Sequence, residues 1–319
     1  MTTNAPTSDS PRHVTHTLPA PTPLVPGARL PTALEEYLFD LQGFVILRGA
    51  LSRDEVAACN ETIDRVRASG IPRNGWFGHV HREDHPEHRG ISYQQIYEAG
   101  PAFERLIDHP NWINYVSRFV GGHDTFDWHH GPLFVDENFV NLRGPGESIA
   151  LHSGGHEHCV RTQFRYFNGR FHCGQVNVLI GLTDIGAGDG GTMVIPGSHK
   201  ANLKHPEFEF QARGFLPDGE AVSADGVTAA KEVHLAAGDA LVFVDATCHG
   251  SAKRVNPGER RICVYRYGPS WGNFRWGYTP SEGLLARLSP LARKMARPQQ
   301  GLRPPGAVVE HGQSSARAG

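Results

Sequence analysis

Apolar positions along this chain follow two different periods, and the change falls near residue 126. Before it, the spacing is mostly helical. Residues 34–40 predict a short helix leading into Gly43-Phe44-Val45-Ile46-Leu47, a buried strand. Ser52-Arg53-Asp54-Glu55 has capping-box spacing, in which the serine oxygen and the glutamate carboxylate each satisfy a backbone N–H of the first turn. Val56, Cys59, Ile63 and Val66 then fall on one face, so 53–68 reads as an amphipathic helix. Residues 111–121 predict another helix ending at Gly121-Gly122. Residues 70–90 are polar and rich in His, Pro and Gly, including His79, His81, His85 and His88. They read as a long loop, with a lid over a site as the alternative.

After residue 126, short β-type runs separated by glycine turns take over, at 134–135, 139–142, 148–151, 176–182, 192–195, 240–244 and 262–267. Many short strands with turn signals indicate a mainly β fold with flanking helices. The double-sheet jelly roll, cupin-like in form, is the version that encloses a small-molecule site. One domain is expected over 32–296. A flexible arm rich in Pro, Thr and Ala would precede it at 1–31, and a loose tail would follow at 297–319.

Composition narrows the class. With 39% hydrophobic and 20% charged residues, the 319-residue chain is typical of a soluble globular protein. A net charge of -2 gives no pull toward nucleic acid or a membrane surface. No apolar run approaches the roughly 20 residues that span a bilayer. The five cysteines are odd in number, scattered and without a C-x-x-C pair, which points to reduced thiols and a cytoplasmic location. Nineteen histidines make any single one weak evidence.

Two of them stand out by their surroundings. In Leu151-His152-Ser153-Gly154 a histidine ends an apolar run where a His-x-Asp metal motif would have its carboxylate two residues on, and Gly154 occupies that place. In Thr247-Cys248-His249-Gly250 a second follows the buried strand 240–244. Two histidines and one carboxylate are the usual protein ligands of non-haem Fe(II) oxygenases, so this pair reads as a metal site lacking its acid. Arg260 and Arg261 open the strand that follows. Alternate strand residues point to opposite faces, so only one of them can face inward to grip a carboxylate bidentately. Spacing favours Arg260, with Arg261 as the fallback. A different class of reading joins His152, His156, His158 and Cys159 in a zinc site of a non-catalytic binding protein, but it leaves His249 and the arginines without a role.

Four segments together carry a family resemblance. They are Gly43 to Leu47 with its capped helix, Leu151-His152-Ser153-Gly154-Gly155, the run from Gly188 through Gly190-Gly191-Thr192 to Pro196-Gly197-Ser198-His199-Lys200, and the unit from His249 to Arg260. The chain resembles the phytanoyl-CoA dioxygenase branch of Fe(II)/2-oxoglutarate enzymes over nearly all of 35–295. The resemblance implies a double-stranded β-helix core, iron on His152 and His249, O2 as oxidant, and 2-oxoglutarate paired with Arg260 (or Arg261). Asn177, with Gln175 on the same strand face, would touch the other end of the co-substrate, and His199 would be structural. Gly154 departs from the pattern of most members. In halogenases of this superfamily, Gly or Ala at this point leaves room for chloride on the iron. A halogenase is therefore expected. The rival is a hydroxylase drawing its carboxylate from Glu157, Asp184 or Asp189.

The substrate is expected to be a small metabolite. The pattern is similar to actinomycete halogenases of adenine nucleotides such as dAMP. Arg161, Arg165, Arg170, Lys200 and Lys204 are the candidate phosphate grips, and Trp76, Phe77, Tyr93 and Trp128 the candidate base wall.

Overall fold

The computed structural model describes residues 22–84, 90–123, 126, 131–211, 222–269 and 280–296. His85, His88, Trp128 and the tail from 297 lie outside them.

Helix α1 (Ala33–Gln42) and helix α2 (Arg53–Ala68) both start on full capping boxes, Thr32 with Glu35 and Ser52 with Glu55. Between them runs β1 (Phe44–Leu47), entered through Gly43 at φ 89°, where a left-handed turn is needed. The stretch 70–90 differs from the expected loop. It contains β2 (Trp76–Phe77) and β3 (Val80–Asp84), a hairpin that pairs with β4 (Ile91–Gln94). Its polar residues had masked the alternation because this sheet edge is only partly covered. Helices α3 (Pro101–Glu104) and α4 (Ile113–Val120) precede the long strand β5 (Leu133–Arg143). Strands β6 (Phe164–Phe167) and β7 (Arg170–Cys173) form a separate hairpin. Then come β8 (Val176–Gly181), β9 (Thr192–Val194), α5 (Phe208–Gln211), β10 (Lys231–Val233), β11 (Ala240–Val244), β12 (His249–Ser251) and β13 (Arg260–Pro269). Helices α6 (Glu282–Arg287) and α7 (Pro290–Ala296) close the described chain.

Eight strands make one sheet in the order β1-β11-β8-β13-β5-β4-β3-β2, and three make a second, β10-β9-β12. All pairings are antiparallel. The period-2 alternation sorts the large sheet into two faces. Val242, Val244, Val178, Ile180, Cys263 and Tyr265 look toward the helices and join Phe39, Ile63 and Trp112 in the main core. Leu241, Phe243, Leu179, Ile262 and Val264 look toward the small sheet, where they meet Val194 and Val233. The candidate site lies on this second face.

The expected flexible arm needs a correction at its end. The Val25 N–H donates to the Asn114 side-chain oxygen at 2.9 Å, and Asn114 donates back to the Val25 and Ala28 carbonyls. Leu24, Val25 and Ala28 pack on the main core. A buried asparagine on α4 ties this segment down, a partner that local composition does not reveal. No helix among the described residues is long and apolar enough to cross a membrane.

Candidate metal and co-substrate site

His249 opens β12, and His152 pairs with it across an isolated antiparallel bridge. Each backbone N–H donates to the other residue's carbonyl, at 2.7 and 3.0 Å. Residues opposite in such a pair put both side chains on one side, and the two rings lie with centroids 4.2 Å apart. The Nδ1 of His152 donates to the Ala150 carbonyl at 2.9 Å, and that of His249 to the Thr247 carbonyl at 2.7 Å. A carbonyl can only accept, so each Nδ1 carries the proton and each Nε2 keeps its lone pair. Burial, and the neighbouring imidazole, hold His152 well below the usual histidine range; burial also lowers His249. Both rings are thus neutral, the form that binds a metal.

A cavity of about 240 Å³ opens beside the pair, lined among others by His152, His249, Thr192, Ser251, Arg143 and Arg260. The inward row of β13 is Arg260, Ile262, Val264 and Arg266, so the cavity runs along this strand for roughly 20 Å at 3.3 Å per residue. Arg260 is 1% exposed, and its Nε and Nη1 have no hydrogen-bond partner. Burial first, and Arg254 second, lower it to about 10. A buried guanidinium with open donors costs several kcal/mol unless an anion meets it, on the order of the desolvation of a buried ion. Arg261 faces the other way. It pairs with Asp64 of α2 at 2.7 Å and with Glu259 at 2.9 Å, and so does not reach the cavity.

Several other sequence candidates lie elsewhere. Asn177 is buried on β8, but its amide donates to Asp245 at 2.9 Å and it does not line the cavity. Gln175 donates to Asp136 at 2.8 Å. Arg161, taken as a substrate contact, is instead engaged within the protein by Asp245, Glu157 and Ser153. Arg165 is exposed on the β6–β7 hairpin. Lys200 pairs with Asp40, and Lys204 sits over the Phe208 ring. His199 is buried, with Nε2 donating to the Asp40 carbonyl at 3.0 Å.

The three rival carboxylates are bound up as well. Glu157 pairs with Arg161 at 2.8 Å, Asp184 accepts from the Ala237 N–H at 2.8 Å, and Asp189 pairs with Arg254 at 3.0 Å. Among the described residues, no group of three or more His, Cys, Asp or Glu is arranged to hold a metal. This removes the four-ligand zinc reading: His156 packs on Phe208, and Cys159 meets Thr162. At Gly154 the backbone has φ 132°, and a Cβ built there would lie 2.6 Å from His156 Nδ1. The space beside the glycine is held by a movable imidazole.

Sequence reasoning missed the polar wall at the Arg266 end of the cavity. The Gln94 amide donates to Glu83 at 2.9 Å and to Glu137 at 3.2 Å, and Arg266 pairs with Glu137 at 3.2 Å. It also missed Asp245, which sits directly after β11 and four residues before His249. An acid closing a buried apolar strand was the available signal. Burial alone would raise Asp245, but Arg266 and Arg161 bring it down to about 2.

A family model for phytanoyl-CoA dioxygenase (PhyH) matches residues 39–262. The dioxygenase cdmD of Talaromyces verruculosus is 24% identical over 277 residues, covering 79% of each chain. HygX from Streptomyces hygroscopicus, solved with nickel and 2-oxoglutarate bound, superposes with a TM-score of 0.61 at 24% identity, covering 80% of this chain and 94% of its own. The carbocyclase SnoK from nogalamycin biosynthesis gives a TM-score of 0.53 at 18% identity, covering 85% and 94%.

Proposed function

The chain belongs to the phytanoyl-CoA dioxygenase family within the Fe(II)/2-oxoglutarate oxygenases, and from that premise we propose that it is a halogenase. In this reading a double-stranded β-helix core holds iron through His152 and His249 alone. Chloride would take the position that a carboxylate fills in a two-histidine, one-acid site. The observation that carries the reading is the lack of any third His, Cys, Asp or Glu converging with the two histidines among the described residues.

The residues fit the groups they would hold. Two neutral imidazoles with free Nε2 lone pairs suit Fe(II). Arg260, buried with open donors, suits the distal carboxylate of 2-oxoglutarate. When bound, the iron supplies O2-dependent oxidation of 2-oxoglutarate coupled to attack on an unactivated C–H bond. The overall reaction balances as C–H substrate, chloride, a proton, 2-oxoglutarate and O2 giving C–Cl product, succinate, CO2 and water.

One observation favours a second reading, hydroxylation. The His156 ring stands where a Gly154 side chain would begin, so chloride gains that room only when the ring turns aside. For the substrate, the Arg266 wall supports a hydroxyl- or amine-bearing molecule over the nucleotide phosphate suggested by resemblance. It sets two carboxylates, Glu83 and Glu137, against one guanidinium, Arg266, and HygX has been solved with hygromycin B bound.

The test is mass spectrometry of reactions with Fe(II), 2-oxoglutarate and O2, with and without chloride, over a panel of amino-polyols and adenine nucleotides. A product gaining chlorine supports the halogenase. A product gaining only oxygen at saturating chloride replaces it with the hydroxylase.

A further inference from the structure

One guanidinium reaches both histidine-bearing segments. Arg161 donates through Nη1 to the Ser153 hydroxyl at 2.9 Å and to the Asp245 carboxylate, and through Nη2 to Glu157 at 2.8 Å. Ser153 directly follows His152, and Asp245 lies on the short connection leading to His249. The Asp245 carboxylate is almost wholly buried and also accepts from Asn177 at 2.9 Å.

The segment after His152 needs such a tie. The His152–His249 pair is an isolated bridge, and among the described residues no rung follows it on the Ser153 side. Ser153 has φ 59° and Gly154 φ 132°, so the chain leaves the bridge through two consecutive left-handed residues. For a non-glycine residue that conformation costs on the order of 1–3 kcal/mol and persists only where the surroundings over-determine it. The Ser153 hydroxyl is fully buried, and among the described residues Arg161 is the donor it meets. Arginine suits three acceptors at once because its donors form a fixed planar fork; lysine is a single point charge.

We propose that Arg161 is the positioning residue of the two-histidine site, fastening the strained turn after His152 to the Asp245 connection before His249. The inference rests on the two-histidine reading above. Arg161 touches neither metal nor substrate. It acts by keeping the two Nε2 atoms at a fixed separation.

The test is calorimetric titration of the full chain with Ni(II), and then with 2-oxoglutarate at saturating Ni(II), alongside the melting temperature. Arg161→Gln is expected to weaken Ni(II) binding 10- to 100-fold, the range for lost supports of metal ligands, with 2-oxoglutarate affinity within threefold of wild type. Arg161→Lys recovers part of the loss. Ser153→Ala and Asp245→Asn, which cut one arm each, weaken Ni(II) in the same direction, whereas Glu157→Gln stays within threefold. Ni(II) affinity within twofold of wild type in Arg161→Gln overturns the proposal, whatever its melting temperature. If that variant does not fold, unchanged affinity in Ser153→Ala overturns it. Failure of the underlying reading looks different: His152→Ala then binds Ni(II) as wild type does, and the Arg161 inference falls with it.

Discussion

Arg260 and Arg261 are neighbours on one strand, yet they belong to opposite worlds. On the helix side of the large sheet, Arg261 is matched by Asp64, Glu259 and the Asn60 side chain. The surrounding residues of that face are apolar and closely packed. On the other side, Arg260 is buried with open donors, lining the same cavity as two imidazoles whose lone pairs are equally uncommitted. A charge that folding has already satisfied serves stability. A charge that folding buries and leaves unsatisfied marks where a ligand completes the structure.

The largest expected break in this contrast is at the histidines. His152→Ala or His249→Ala should abolish iron-dependent 2-oxoglutarate consumption, and retained consumption would exclude that histidine as a ligand. Next come the two arginines, exchanged separately for methionine. Arg260→Met should raise the KM for 2-oxoglutarate about 100-fold, roughly 2.7 kcal/mol, while the ligand-free protein melts no lower, because an unmatched buried charge has gone. Arg261→Met should leave that KM within twofold and cost about 1 kcal/mol or less, since Asp64 is largely exposed. Equal KM effects would dissolve the distinction between the faces.

Gly154→Asp sharpens the comparison within the site. It restores the absent acid but must adopt φ 132° and displace His156, at a strain of about 1–3 kcal/mol. Chlorination should be lost, with hydroxylation as the remaining reaction, as read by product mass. Chlorination at the wild-type rate would rule out chloride beside Gly154.

A smaller effect concerns pH. Asp245 titrates at about 2 in the fold against an ordinary 3.8. A carboxyl held low stabilises the fold in its ionised form. That contribution is complete above about pH 5 and disappears as pH falls from about 4 to 2, and it amounts to about 2 kcal/mol. Denaturant titrations across that window should show the decline in wild type and a shallower one in Asp245→Asn.

Much of this contrast can be read in the sequence. The capping box at Ser52, the buried run 240–244 and the histidine pair depend on local pattern, which the chain spells out. The choice between Arg260 and Arg261 needed strand phase. Alternation says only that the two differ, and the pairing of β13 with β5 and β8 decides which way each points. The hairpin within 70–90 was hidden because its strands are short and half-exposed, so the period-2 signal is weak. Asn177 and Arg161 looked like ligand contacts by type and position. Their partners Asp245 and Ser153 are distant or inconspicuous in sequence, and inside the fold Arg161 meets Ser153, Asp245 and Glu157 while the Asn177 amide meets Asp245.

Most depends on an iron centre with two protein ligands and an open position accepting chloride. Anaerobic titration of the protein with Fe(II) and then 2-oxoglutarate, followed by visible absorption with and without chloride, tests it directly. The charge-transfer band of chelated 2-oxoglutarate should appear in wild type, shift on adding chloride, and be absent in His152→Ala. A band that forms normally yet is indifferent to chloride at every concentration would contradict it.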